Sequence, residues 1–306
     1  MGNPYNTGLD RNPANFQPLT PLTFLERAAS VYPDHTALIH GDIKRNYSQF
    51  YRRALQLASA LSKQGINRGD TVSVILSNTP AMLEAHYGVP MCGAVLHSVN
   101  TRLDPETIAY QLDHSESKAL IVDREFLEAA KSSLKLAKVS PIMIDYNDSE
   151  HPINDSLPNA TEYESFLLQG DTNYEWLMPE DEWDAISLNY TSGTTGNPKG
   201  VVSHHRGAYL LAQGNAMIAS IKKHSVYLWT LPMFHCNGWC FPWTMSAIIG
   251  THVCLRQVRA EPIWSSLAKH NVTHLCGAPI VMSTILAASD NEKKLLENQV
   301  EFFTAA

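Results

Sequence analysis

Hydrophobic residues recur at helical spacing near the start of the chain. Between Tyr47 and Gly65 the apolar side chains fall three or four positions apart, which predicts an amphipathic helix that Gly65 ends. A similar pattern from Pro21 predicts a helix that ends before Pro33, because the residue before a proline disfavours helical geometry. The proline-rich residues 1–20 predict an extended arm, so we expect the ordered domain to run from residue 21 to residue 306.

Farther along, short β-branched or apolar segments alternate with helical patterns. The predicted strands occupy residues 71–76, 94–99, 119–122, 141–144, 185–190, 226–231, 251–255 and 273–276. The predicted helices begin near Pro80, Pro105, Arg124, His205 and Pro279. The polar stretch 145–159 predicts a surface loop, and the segment 291–306 predicts the end of a helix followed by the start of a strand. This alternation predicts a layered α/β fold with largely parallel sheets.

Composition excludes several classes of protein. Lys and Arg number 23 against 30 Asp and Glu, a net charge of −7, which gives no general attraction to nucleic acid or anionic lipid. Hydrophobic residues make up 44% and charged residues 17%, as in a well-packed globular protein. The five cysteines form no dense disulfide framework. We find no apolar run long enough for a signal peptide or a membrane span, and we expect a cytoplasmic protein.

The segment with the clearest chemistry is Tyr190–Gly200, YTSGTTGNPKG, where a predicted strand leads into a loop. Glycines remove Cβ atoms so that backbone N–H groups can approach an anion, hydroxyls add donors, and Lys199 adds a positive charge. The loop is not a Walker A motif, because Pro198 stands where that motif requires glycine and Gly200 where it requires Ser or Thr. A phosphate-binding loop is favoured over a plain flexible surface loop.

This loop resembles the signature of the adenylate-forming enzymes, which include acyl-CoA synthetases, luciferases and peptide-synthetase adenylation domains. The segments Gly88–Asp123 and Leu231–Trp243, the latter reading LPMFHCNGWCFPW, resemble other stretches of that family. Together with GAPIV at Gly277–Val281, the residues of the segment Leu231–Trp243 most resemble those of bacterial ligases for fatty acids or methylthio-propionate and of plant acyl-activating enzymes. The implied fold is the N-terminal part of the large adenylation domain.

The resemblance implies a two-step reaction in which a carboxylate attacks the α-phosphate of ATP and the acyl-adenylate is then cleaved by the thiol of coenzyme A. It assigns the ATP phosphates to Thr191, Ser192, Gly193, Thr194, Thr195, Gly196 and Lys199, and Mg²⁺ to Thr195. Catalytic roles fall to His235 and Lys199. The implied acyl pocket consists of His235, Asn237, Gly238, Trp239, Gly277, Ala278 and Pro279.

Some residues allow a second interpretation. Without the family context His235 would be taken for a core histidine, and with Cys236 and Cys240 it could bind a metal, although the paired spacing of zinc sites is missing. Arg256 and Arg259 follow a predicted strand and could meet the phosphates of coenzyme A, or they could be solvated surface.

The chain departs from the family pattern beyond this region. The family continues into a Tyr-Gly-x-Thr-Glu segment, a hinge and a small C-terminal domain with a lysine, whereas the one Tyr-Gly pair here is Tyr87–Gly88. We therefore expect a fragment that lacks the C-terminal small domain and has little activity alone. The alternative is a non-catalytic remnant that binds a nucleotide or an acyl group. The carboxylic acid, the thiol acceptor and the oligomeric state stay open.

Overall fold

Two β-sheets carry the fold. A computed structural model describes residues 3–191 and 197–304. The strands are β1 Thr36–His40, β2 Ile43–Asn46, β3 Thr71–Ile75, β4 Val95–Ser98, β5 Ala119–Asp123, β6 Ile142–Tyr146, β7 Thr161–Glu162, β8 Ala185–Tyr190, β9 Gly200–His204, β10 Val226–Leu228, β11 Thr251–Val253, β12 His274–Gly277 and β13 Glu301–Thr304. The first sheet has the order β13-β12-β10-β11-β1-β2 and the second the order β7-β6-β5-β3-β4-β8-β9.

Helices connect most of these strands. They are α1 Leu22–Val31, α2 Tyr47–Lys63, α3 Pro80–Met91, α4 Pro105–His114, α5 Leu127–Leu136, α6 Tyr163–Leu167, α7 His205–Ile218, α8 Phe241–Ala247, α9 Ala260–Lys269 and α10 Pro279–Leu286. Short 3-10 segments occur at Pro4–Asn6, Arg124–Phe126 and His235–Cys240. None of the helices in the described ranges is long and apolar enough to cross a membrane.

The sheets are largely parallel, as predicted. Among the described strands only β1–β2 and β8–β9 pair antiparallel, and the other pairings are parallel. Parallel strands need helical crossovers, which explains why α3 to α5 alternate with β3 to β6. The layered α/β fold expected from the pattern is therefore confirmed.

Local sequence accounts for several helix ends. Asn46 caps α2 in a reciprocal arrangement with Gln49, and Gly65 follows the helix with a φ of 86°, a left-handed geometry that favours glycine. Every residue of α3 is buried. Helices α2 and α3 approach closely at Gly88, where an added Cβ would lie 2.8 Å from the Leu57 side chain.

The structure differs from the sequence prediction at three places. No helix forms at 291–300, so that prediction was wrong, although the strand expected at the end of the chain exists as β13. The strand predicted to reach residue 231 ends at Leu228. The sequence pattern predicts a helix directly after the loop that follows β8. In the structure this loop leads into β9, which pairs with β8, and α7 begins only after β9.

Candidate active site

Asn78 holds the loop of residues 229–235, which carries much of the candidate site. It follows β3 of the second sheet and is 8% exposed. Its amide nitrogen donates to the carbonyl oxygens of Trp229 and Leu231, each at 2.9 Å, and its Oδ1 accepts from the Met233 N–H at 2.8 Å. The loop follows β10 of the first sheet, so this one side chain links the ends of strands from both sheets.

A second link lies one residue farther along the loop. The carbonyl oxygen of Phe234 accepts from Ser98 Oγ at 3.3 Å and from Asn189 Nδ2 at 3.1 Å, and Asn189 also donates to Ser98 Oγ at 3.1 Å. Ser98 ends β4 and Asn189 lies near the end of β8. The carboxyl ends of neighbouring parallel strands are where open α/β sheets bind ligands, so the loop is fastened at a typical ligand-binding edge.

After His235 the backbone forms a left-handed turn. The φ values are 43° at Cys236, 45° at Asn237, 55° at Gly238, 54° at Trp239 and 63° at Cys240. Each non-glycine residue in this conformation costs about 1–2 kcal/mol relative to a right-handed turn. At Gly238 the absence of a side chain also avoids a tight contact, because an added Cβ would lie 3.1 Å from the Trp229 ring.

A cavity of about 410 Å³ lies elsewhere, beside β1 and β11, but a cavity of about 630 Å³ opens next to the turn. The larger one is lined by Asn100, Arg102, Thr230, Leu231, Pro232, Phe234, His235, Trp239, Val258, Ala278, Ile280, Val281 and Thr284. Three residues of the predicted acyl pocket, His235, Trp239 and Ala278, therefore line one cavity. The Thr230 hydroxyl donates to the Cys276 carbonyl at 2.7 Å, which ties the floor of the cavity to β12.

The other residues of the predicted acyl pocket do not line this cavity. Asn237 is 2% exposed, and neither polar atom of its side chain finds a hydrogen-bond partner among the described residues. Gly238 is buried against Trp229. Gly277 ends β12 and Pro279 begins α10, and neither belongs to the lining of the cavity.

Two residues of the predicted phosphate loop mark its base. The Thr191 N–H donates to the Lys199 carbonyl at 3.0 Å, and the Lys199 N–H donates to Thr191 Oγ1 at 3.3 Å. The residues between them that were assigned to phosphate and Mg²⁺, Ser192 to Gly196, lie outside the described residues. Thr191 follows Asn189 by two positions, so the loop base lies within about 8 Å of the residue that holds Phe234.

Arg256 has a role inside the protein that differs from the one predicted. Its side chain is 9% exposed and forms ion pairs with Asp123 at 2.8 Å and also with Glu125 and Asp148. Burial is the largest single influence on Asp148 and favours the neutral acid. The hydrogen bond and charge interaction with His40, the Glu150 N–H and the Arg256 charge together outweigh it and lower the pKa of Asp148 to about 2. Because these carboxylates already neutralise the guanidinium, we do not propose Arg256 as a coenzyme A contact. Arg259 is exposed at the start of α9, and its coenzyme A role stays a prediction.

The two cysteines beside His235 differ in environment. Cys236 is exposed and Cys240 is buried. Burial raises the pKa of both thiols, that of Cys240 to about 12, which disfavours the thiolate that a metal or an electrophile needs. Within residues 3–191 and 197–304 no group of three or more potential ligands could hold a metal ion.

Sequence reasoning missed Asn78, Asn189 and Arg102. The signal that could have found them is their position, since each follows or ends a predicted parallel strand of the same sheet. The hydrogen-bond partners of Asn78 and Asn189, and the place of Arg102 on the cavity wall, depend on the loop of the other sheet that passes beside them.

Comparison with known proteins places this geometry in context. The sequence profile of the family described as AMP-binding enzyme matches residues 25–304. Acetate/butyrate–CoA ligase AAE7 of Arabidopsis thaliana, named as peroxisomal, is 48% identical, over 97% of this chain and 54% of that protein. Acetate–CoA ligase CCL3 of Humulus lupulus is 48% identical, over 93% and 52% respectively. 2-Methylpropanoate–CoA ligase CCL4 of the same plant is 44% identical, over 97% and 54%.

Solved structures share the fold. The anthranilate CoA ligase AuaEII in complex with anthranoyl-AMP superposes with a TM-score of 0.80 at 23% identity, covering 92% of this chain and 54% of that one. The luciferase-like enzyme of the mealworm Zophobas morio also gives 0.80 at 23% identity, over 96% and 68%. The chain spans about half the length of the curated relatives it matches.

Proposed function

The chain belongs to the AMP-binding enzyme family, and from this premise we propose that it serves ATP-dependent activation of a short-chain carboxylic acid and transfer of the acyl group to coenzyme A. The observation that carries the proposal is the cavity lined by His235, Trp239 and Ala278, whose wall residue Phe234 is hydrogen-bonded to Asn189 near the end of β8, the strand that leads into the loop 191–199. A mostly apolar cavity with a few polar groups suits an alkyl chain that ends in a carboxylate.

The names of the relatives support a small acid as the substrate. The three ligases named above are called ligases for acetate, butyrate or 2-methylpropanoate, each with at most four carbons. Phe234 and Trp239 contribute aromatic walls to the cavity. We therefore propose an acid of two to four carbons in place of a long-chain fatty acid.

We propose the following roles for the site residues. Lys199 and the loop from Thr191 to Gly196 hold the phosphates of ATP, with Mg²⁺ supplying the positive charge that offsets them, at Thr195. His235 stands beside the carboxylate as the acyl bond to AMP forms, which accords with its exposed position on the cavity wall. Asn237 and Gly238 support this wall from behind.

Because the chain spans about half of its relatives, we propose low turnover for the 306 residues alone. The cytoplasm is kept as the proposed location, although the relative AAE7 is named as peroxisomal.

The proposal is tested by thioester formation. The natural protein that contains this chain is incubated with ATP, Mg²⁺, coenzyme A and acetate, butyrate, 2-methylpropanoate or a long-chain fatty acid, and the acyl-CoA is detected by mass. We expect short acyl-CoA products and none when ATP is left out. Saturable binding of ATP or acid without any product or adenylate would favour the non-catalytic remnant.

A further inference from the structure

Arg102 is the one arginine, lysine or carboxylate residue among the described residues that line the larger cavity. The lining residues within the described ranges include His235 but no carboxylate. Arg102 is exposed, and it forms no ion pair with any residue of the described part of the chain. The larger cavity therefore carries the positive charge of an arginine that no carboxylate of the described residues pairs with.

Other arginines that enter the protein interior are neutralised. Arg45 and Arg53 pair with Glu84, Arg124 pairs with Asp145, and Arg256 pairs with three carboxylates. Arg102 differs from these four arginines because it lines the larger cavity and has no carboxylate partner among the described residues. Arg27 is also exposed and without an ion pair in the described ranges, but it does not line that cavity.

The backbone beside Arg102 is fastened on both sides. Its N–H donates to Asn100 Oδ1 at 3.0 Å, and Ser98 two residues earlier bonds to the Phe234 carbonyl. On the other side Asp104 caps α4, where its carboxylate accepts from the N–H and the hydroxyl of Thr107, each at 2.8 Å. The nearest acid in sequence is thus committed to the helix, and the arginine keeps its place at the cavity.

We propose that Arg102 binds the anionic oxygen group of a ligand whose remaining part enters the apolar cavity. A guanidinium presents parallel N–H donors that match a carboxylate or a phosphate, and partial enclosure strengthens the attraction relative to open water. This inference rests on the proposed function for its two sources of the anion, the carboxylate of the acid and the phosphate of an adenylate. Neither composition nor the family resemblance assigned a role to this residue.

The test compares anions with their neutral analogues. Binding of butyrate and butyramide, and of AMP and adenosine, to the natural protein that contains this chain is measured by calorimetry or ligand-observed NMR. We expect the wild type to prefer at least one anion over its neutral analogue and Arg102→Gln to bind that anion about tenfold or more weakly, the usual loss for a charge-assisted hydrogen bond. Arg102→Lys should keep most of the preference. Arg27→Gln, which changes an exposed arginine of α1, should match the wild type.

The outcomes separate the sources and the hypotheses. A preference confined to butyrate identifies the carboxylate as the ligand group, and one confined to AMP identifies the phosphate. No anion preference in the wild type, or an unchanged preference in Arg102→Gln, overturns the inference. Binding that depends on Arg102, without any thioester formation, would refute the proposed function alone. Thioester formation together with anion binding by Arg102→Gln at the wild-type level would refute the inference alone.

Discussion

Replacing Asn78 by alanine should destabilise the protein by removing the link between the two sheets. The change deletes three hydrogen bonds of 2.8–2.9 Å to the backbone of residues 229–233. Each buried backbone group left unpaired costs about 1–3 kcal/mol, and water can reach some of them, so we expect a loss of about 3 kcal/mol. Asn78→Asp should be no better, because a carboxylate keeps the acceptor for Met233 but cannot donate to the carbonyls of Trp229 and Leu231.

Urea unfolding followed by tryptophan fluorescence measures this loss. Trp229 is fully buried in the affected loop, and its indole N–H donates to His252 at 3.0 Å, so its emission reports on the loop. If the free energy of unfolding falls by about 3 kcal/mol per molar urea, the urea concentration at the unfolding midpoint should fall by about 1 M. Asn173→Ala is the matched control, since Asn173 is exposed and its side chain makes no hydrogen bond among the described residues. An Asn78→Ala midpoint within about 0.2 M of the control would refute the reasoning.

Two further predictions concern buried ionisable groups. Burial lowers the pKa of His86 and His97 to about 4 and that of His252 to about 3. Below about pH 6.5 these histidines take up protons in the unfolded chain but not in the folded chain. The free energy of unfolding should therefore decline between about pH 6.5 and pH 4.5, by up to about 1.4 kcal/mol per pH unit for each histidine. Equal urea midpoints at about pH 6.5 and pH 4.5 would contradict this expectation. Glu84→Gln should cost about 3–5 kcal/mol, because fully buried Glu84 pairs with Arg45 at 3.0 Å and with Arg53 at 2.6 Å. Its thermal midpoint is compared with that of Glu128→Gln, an exposed carboxylate, and equal values would contradict the expectation.

Periodic segments could be predicted from the sequence, and the links between them could not. Helix α2 and strand β8 were expected where they occur, because apolar spacing and a terminal glycine act locally. The apolar and charged segment 291–300 misled the prediction, since helical propensity there is not supported by burial: Leu295 is 93% exposed. Short strands such as β1 and β9 were missed because their pairing is decided by distant partners.

The candidate site shows the same division. The resemblance named His235, Trp239 and Ala278, which the structure brings to one cavity. It could not reveal that Arg256 forms ion pairs with three carboxylates, because they are distant in sequence. Asp123 ends β5 in the other sheet, Glu125 follows that strand, and Asp148 lies in the loop after β6. The sequence pattern also did not predict the left-handed turn at residues 236–240, in which Gly238 lies against Trp229.

The most direct test of the central claim is acid-dependent exchange of labelled pyrophosphate into ATP. The natural protein that contains this chain is assayed with and without butyrate, beside its His235→Ala variant. Our account predicts exchange that requires the acid and that falls at least about tenfold in the variant, since removal of one positioned group at the reacting centre typically costs a factor of this size or more. Exchange that ignores the acid, or no exchange with any short carboxylic acid, would contradict it.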